Sequence, residues 1–225
     1  MFKFLNFFKK KKEMTYQSAI NLVYERNIHT LRRRVKILIV DDENFDLVQI
    51  LEDAKYDIYY KKDIKYTIEV EAFDIVIIDI LGVAPALQSS MEGFAMAEEI
   101  KKRYPAKQVW CYSGKTVNPA VASRLKNIDG YIPKDTDIDQ WRDKLDRMIE
   151  TYCSDDYQIK VLRTQLEKYG VRETDINRVI EEYKKNHEAK NFNSVIDMIS
   201  GLITSGKQVL ELIKLIYSFA EQYTV

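Results

Sequence analysis

The run Val35-Lys36-Ile37-Leu38-Ile39-Val40-Asp41-Asp42 is where the architecture can first be read. It is rich in β-branched residues, apolar at consecutive positions, and stops at two acids. Phe73-Asp74-Ile75-Val76-Ile77-Ile78-Asp79 repeats the plan, again closing on an acid. A strand apolar on both faces belongs in the middle of a parallel sheet with a layer on each side. Outward from these runs, Phe45–Ala54 has helical spacing and Tyr56–Tyr60 reads as a weaker strand, while residues 63–72 favour neither. Met91–Arg103 reads as a helix, Gln108–Tyr112 as a strand, and Pro119–Lys126 as a helix that Asn118 can cap. Asp129–Ile132 is a fifth strand and Asp137–Thr151 a closing helix. Strands alternating with helices predict an α/β fold, a five-stranded parallel doubly wound sheet.

Beyond Cys153 every segment reads as helix, so the sheet is followed by an all-α region. Ile159, Leu162, Leu166 and Tyr169 share a face, and Gly170 stands where a helix stop is expected. Thr174 and Ser194 are candidate caps for two further helices. The last helix, Lys207–Tyr223, has so wide an apolar stripe that it must pack in a bundle, on a second chain or into a membrane surface. The expected units are a basic extension over 1–34, an α/β domain over 35–150 and helices over 151–225.

Composition narrows the classes. The 225 residues are 46% apolar and 31% charged, with seven Gly and four Pro, which fits a globular chain and excludes collagen-like or linker-rich ones. Two Cys and two His supply neither a zinc site nor a disulfide framework, and the thiols suit a reducing, cytoplasmic setting. Net charge is zero, yet residues 1–34 carry nine basic residues against two acidic ones. Met1–Lys12 sets four Phe and Leu5 beside four consecutive lysines, the pattern of a peripheral membrane contact, and Thr15–His29 reads as an amphipathic helix.

In a parallel sheet the carboxyl ends of the strands form one rim, and ligands bind there. On that rim fall Asp41 and Asp42, Asp79, Ser113 and Lys134. Converging carboxylates repel unless a cation joins them, and oxygen-only ligands select Mg²⁺. Any one of these residues is easily a cap or a turn; five in order at four strand ends form a phosphoryl-accepting set. A phosphatase with an Asp-x-Asp-x-Thr motif, a Gly-rich nucleotide loop and a Ser-His triad all lack their residues here.

The segments Ile37–Glu43, Phe73–Asp79, Tyr112-Ser113-Gly114 and Asp129–Asp135 resemble the response-regulator receiver domains of two-component signalling. The resemblance implies a flavodoxin-like receiver fold over about residues 35–150 and a protein that is no enzyme beyond its own phosphorylation and dephosphorylation. It implies that Asp79 is phosphorylated by a histidine kinase or phosphotransfer protein. Asp42, Asp79 and the Leu81 carbonyl would then bind Mg²⁺, with Asp41 acting through water. Ser113 takes the switch-hydroxyl position, Lys134 contacts the phosphate, and Tyr131 is the aromatic that repacks. Three features depart from the family. Gly93 follows Asp79 by fourteen residues, which lengthens the loop at the site. The stretch between Asp42 and Asp79 leaves room for one helical turn at most between the second and third strands. Pro133 precedes the lysine instead of following it.

The flanks suggest an output by protein contact. Residues 151–225 carry ten basic and eleven acidic residues, which argues against a DNA-binding surface and for a helical interaction or homodimer region. The competing expectations are a receiver-like scaffold that is never phosphorylated and a phosphate sink without output.

Overall fold

The chain is seen in a computed structural model that describes residues 28–81, 83, 92–114, 119–187, 189 and 191–221. The stretch 1–12, the helix expected over 15–29 apart from its last two residues, and the Asn118 cap lie outside these residues. Residues 28–32 are helical.

Five strands form one sheet: β1 Lys36–Val40, β2 Asp57–Lys61, β3 Ile75–Asp79, β4 Gln108–Ser113 and β5 Gly130–Pro133. Their order is β2-β1-β3-β4-β5 and every pairing is parallel. Alternation along the strands explains why the central ones are apolar throughout. Ile37, Ile39, Ile75 and Ile77 enter the core on one face, and Leu38, Val40, Val76 and Ile78 enter the core on the other.

The second face is covered by α2, Glu92–Arg103, through Phe94, Ala97 and Ile100. The first is covered by α4, Ile138–Tyr152, through Trp141, Leu145, Met148, Ile149 and Tyr152. The Asp137 side chain caps α4 by accepting from the Gln140 amide at 2.9 Å. Two short helices, α1 Val48–Asp53 and α3 Pro119–Arg124, complete the alternation. Between β2 and β3 the chain makes a single 3₁₀ turn, Thr67–Val70, as the short spacing predicts. The expected Phe45–Ala54 helix is cut to α1, because Phe45 turns in against Trp141 and Tyr112 at 5.3 and 6.1 Å between ring centroids.

Four helices follow: α5 Asp155–Lys168, α6 Glu173–His187, α7 Asn193–Leu202 and α8 Gly206–Glu221. The stop at Gly170 has φ +75°, with the Gly170 and Val171 amides bonded to the carbonyls of Glu167 and Leu166. Two expected caps are corrected. Thr174 lies inside α6, whose first amides bond the Arg172 carbonyl. Ser194 lies inside α7, and the residue before the helix is Phe192, stacked on Tyr183 at 5.5 Å. Burying that ring fixes the start of α7, and the Asn191 side chain, not Ser194, accepts from the Asn193 amide at 3.4 Å. On α8, Leu212, Leu215, Ile216 and Phe219 are buried in the bundle, while Leu210 and Tyr217 face outward.

The helices share one core with the sheet, from Ile37 through Tyr157 to Phe219. They dock at the amino ends of the strands. There the Tyr157 hydroxyl of α5 donates to the Lys107 carbonyl at 3.1 Å and lies 3.0 Å from Lys101 Nζ, which is itself 2.8 Å from Asp129. The carboxyl ends of the strands are left clear of the bundle.

Candidate functional site: an acid cluster at the carboxyl rim

Asp41 leaves the end of β1 and Asp79 is the last residue of β3, so a neighbouring-strand pairing sets them side by side. Both are buried, and Asp42 is exposed at the rim. One carboxylate oxygen from each of the three lies within 4.8 Å of the others. Lys134, just past β5, reaches across β4 into the cluster. Its Nζ is 2.7 Å from Asp79 Oδ2, 3.2 Å from Asp41 Oδ2 and 3.4 Å from Glu43 Oε2. Ser113 closes β4 and is buried; its carbonyl accepts from the Lys134 amide and the Tyr131 hydroxyl, each at 3.0 Å. The structure therefore brings Asp41, Asp42, Asp79 and Lys134 together, with Ser113 and Tyr131 on the adjoining strands. Leu81 lies against Asp79, donating its amide to Oδ1 at 3.3 Å. Residues 82 and 84–91 of the long loop lie outside the described residues.

Gly93 gives this corner its shape. A Cβ there would fall 1.7 Å from the Asp79 carbonyl oxygen and 2.9 Å from its carbon. The first turn of α2 thus rests directly on the backbone that carries Asp79, and the Gly93 amide bonds the Ile80 carbonyl at 3.2 Å. The later position of this glycine leaves the close approach intact.

Electrostatically the cluster is short of positive charge. Burial raises the Asp79 carboxyl above its ordinary value, and Asp41 adds to the rise, while Lys134 and the Leu81 amide pull the other way. For Lys134, burial alone would lower the value; its bonds to Asp79 and Asp41 outweigh that and raise it, so the ammonium stays charged. Three acids with one ammonium and only oxygen ligands fit a small divalent cation, Mg²⁺ above all.

Residues not singled out in the sequence complete the cluster. Tyr112 donates its hydroxyl to Asp41 Oδ2, and Tyr60 donates to the Asp41 carbonyl at 2.8 Å. Glu43 pairs with Lys134. Tyr112 precedes Ser113, so alternation along β4 turns its ring to the α4 face, and its hydroxyl still reaches the rim. Tyr112→Phe keeps the ring contacts with Phe45 and Trp141 and removes one donor to a buried carboxylate. Thermal melting is expected to show a loss of about 2 kcal/mol; an unchanged melting temperature contradicts this role.

No protein-family model and no curated protein matches the sequence. Among solved structures the fold is similar to a CheY-like response regulator receiver domain protein from Methanospirillum hungatei. That match is 22% identical over 52% of this chain and 95% of that one, with a TM-score of 0.43. It is also similar to the signal receiver domain of an HD domain-containing protein from Pseudomonas fluorescens, at 22% identity over 53% and 90%, TM-score 0.46. A third match is the receiver domain of NtrX from Brucella abortus, at 26% identity over 52% and 99%, TM-score 0.44. Each of these likenesses covers about half of this chain. With its β2-β1-β3-β4-β5 parallel order and helices on both faces, the sheet-bearing part of the chain has the flavodoxin-like doubly wound fold.

Proposed function

We propose that this protein is a response regulator that accepts a phosphoryl group on Asp79 and signals through its helical region. The observation that carries the reading is the convergence of Asp41, Asp42 and Asp79 within 4.8 Å, with Lys134 Nζ 2.7 Å from the Asp79 carboxylate. The donor is the phosphohistidine of a histidine kinase or phosphotransfer protein. An Asp79 oxygen attacks phosphorus, the phosphorus–nitrogen bond breaks, and the imidazole keeps the electron pair and takes a proton from water. Asp42, Asp79 and the Leu81 carbonyl would hold Mg²⁺, with Asp41 through water. Bound there, the ion would neutralise charge on the transferring oxygens. Lys134 and the Ser113 hydroxyl supply donors for the product oxygens.

The product replaces a carboxylate by a bulkier, more negative group, so Lys134 is drawn from Asp41 toward the phosphoryl oxygens. Two aromatic routes lead away from that change. Tyr131 is bonded to the Ser113 carbonyl, and Tyr112 joins Asp41 to Trp141 of α4 at 6.0 Å between ring centroids. Helix α4 runs into α5 through Cys153 and Ser154, which gives the helical region a means of reading the site.

Incubation with Mg²⁺ and a small phosphodonor such as acetyl phosphate tests the proposal. A mass gain of one phosphoryl group, lost with a chelator and lost in Asp79→Asn, is the expected result. A folded protein that gains no mass would instead be a receiver-like scaffold.

A further inference from the structure

A cavity of about 1220 Å³ lies at the opposite end of the sheet from the acid cluster, between the amino ends of the strands and helices α5 and α8. Its walls collect Arg34, Lys36, Arg103, Lys168, Lys207 and Lys214, all exposed. None of the six has a carboxylate within ion-pairing distance among the described residues. Several cations elsewhere in the fold are paired, as Arg32 with Asp146, Lys101 with Asp129 and Arg124 with Glu98, whereas single unpaired lysines such as Lys62 and Lys126 lie apart from this concave surface. Four acids, Glu71, Asp74, Glu99 and Glu211, share these walls with eight cations, and three of the four are engaged by other groups. Asp74 accepts from the Tyr152 hydroxyl and the Lys36 amide, Glu211 accepts from the Tyr169 hydroxyl, and Glu99 lies 3.9 Å from Lys102. In a chain of zero net charge, this concentrates unmatched positive charge in one concave place.

We infer that this cleft is a binding site for a multiply charged phosphate group. The cleft is large enough to admit a polyanion of small-molecule size or a lipid headgroup. Of the rings in the walls, Tyr104 lies under Arg103 at 5.7 Å, Tyr169 under Lys168 at 5.9 Å, and Tyr152 packs against Tyr157 at 6.3 Å, which favours phosphate over a stacked base as the recognised chemistry. Such a group can come from a soluble compound or from the headgroup of an anionic phospholipid. Because the walls come from both the sheet and the bundle, the ligand would tie the two together. The inference stands apart from the phosphoryl chemistry at Asp79.

The test uses the full chain, tripolyphosphate as the soluble probe, and phosphatidylcholine vesicles with and without phosphatidylglycerol. Lys168→Glu/Lys207→Glu/Lys214→Glu reverses three exposed charges in the cleft. Lys62→Glu/Lys126→Glu/Lys184→Glu makes the same charge change elsewhere. The cleft variant is expected to lose affinity by about ten-fold or more, while the control stays within two- to three-fold of wild type. Tripolyphosphate binding alone assigns a soluble ligand, and binding of the anionic vesicles alone assigns a headgroup. The inference is overturned if wild type binds neither probe, or if the cleft variant binds as well as the control.

Discussion

Gly93→Ala is expected to cost about 3 kcal/mol or more and to disable the acid cluster. The added methyl would meet the Asp79 carbonyl at 1.7 Å and the Ile80 carbon at 3.2 Å. These are backbone atoms at the end of a central strand, so no side chain can swing aside to make room. Overpacking of a tight interior usually costs 1–3 kcal/mol, and a contact this short with fixed atoms belongs at or beyond the upper end. Relief requires α2 to lift from β3, which moves the carboxylate of Asp79 away from Lys134. Urea unfolding reads the stability, and phosphodonor labelling reads the geometry. A variant with wild-type midpoint and labelling would show that α2 does not rest on the strand end as described.

Lys134→Met should produce the second large effect. Methionine keeps most of the apolar stem but leaves Asp41 and Asp79, both buried, facing each other without their ammonium. Removing one partner of a fully buried ion pair costs about 3–5 kcal/mol. The Lys134 side chain keeps 23% of its exposure, so about 2–3 kcal/mol at neutral pH is the expected loss. The pH dependence follows from the direction of the shifts. Asp79 is raised in the folded protein, so its folded form binds the proton more readily than the unfolded chain does, and stability rises as pH falls toward the acid range. Without Lys134 that rise should steepen, and the variant should regain part of its loss at mildly acidic pH. Lys134 is itself raised, so its contribution in wild type is complete below its unfolded value and fades only as pH climbs through the folded one. Mg²⁺ should stabilise both proteins and the variant more, since it supplies the missing charge. Equal melting curves for variant and wild type across this range would contradict the pairing.

The parts of the fold that could be read from sequence are those where one physical effect dominates. β1 and β3 are apolar at every interior position because both faces are covered, and the acids that end them fall on one rim because the strands are parallel. The missing helix before β3 followed from chain length alone. What stayed hidden depends on tertiary packing. Phe45 and Phe192 have helical or capping surroundings in the sequence, yet each is placed by the ring it packs against. The role of Tyr112 required knowing that α4 and the rim lie close enough for one side chain to touch both. Docking of the helices at the amino ends of the strands could not be read at all, since it rests on Tyr157 meeting Lys101 and Lys107 far back along the chain.

The most direct measurement is to locate the modified residue. After incubation with Mg²⁺ and acetyl phosphate, borohydride reduces an aspartyl phosphate to homoserine, and peptide mass spectrometry finds the residue so marked. The account predicts a single mark at Asp79. An unmarked chain, or a mark confined to any other carboxylate, would contradict it.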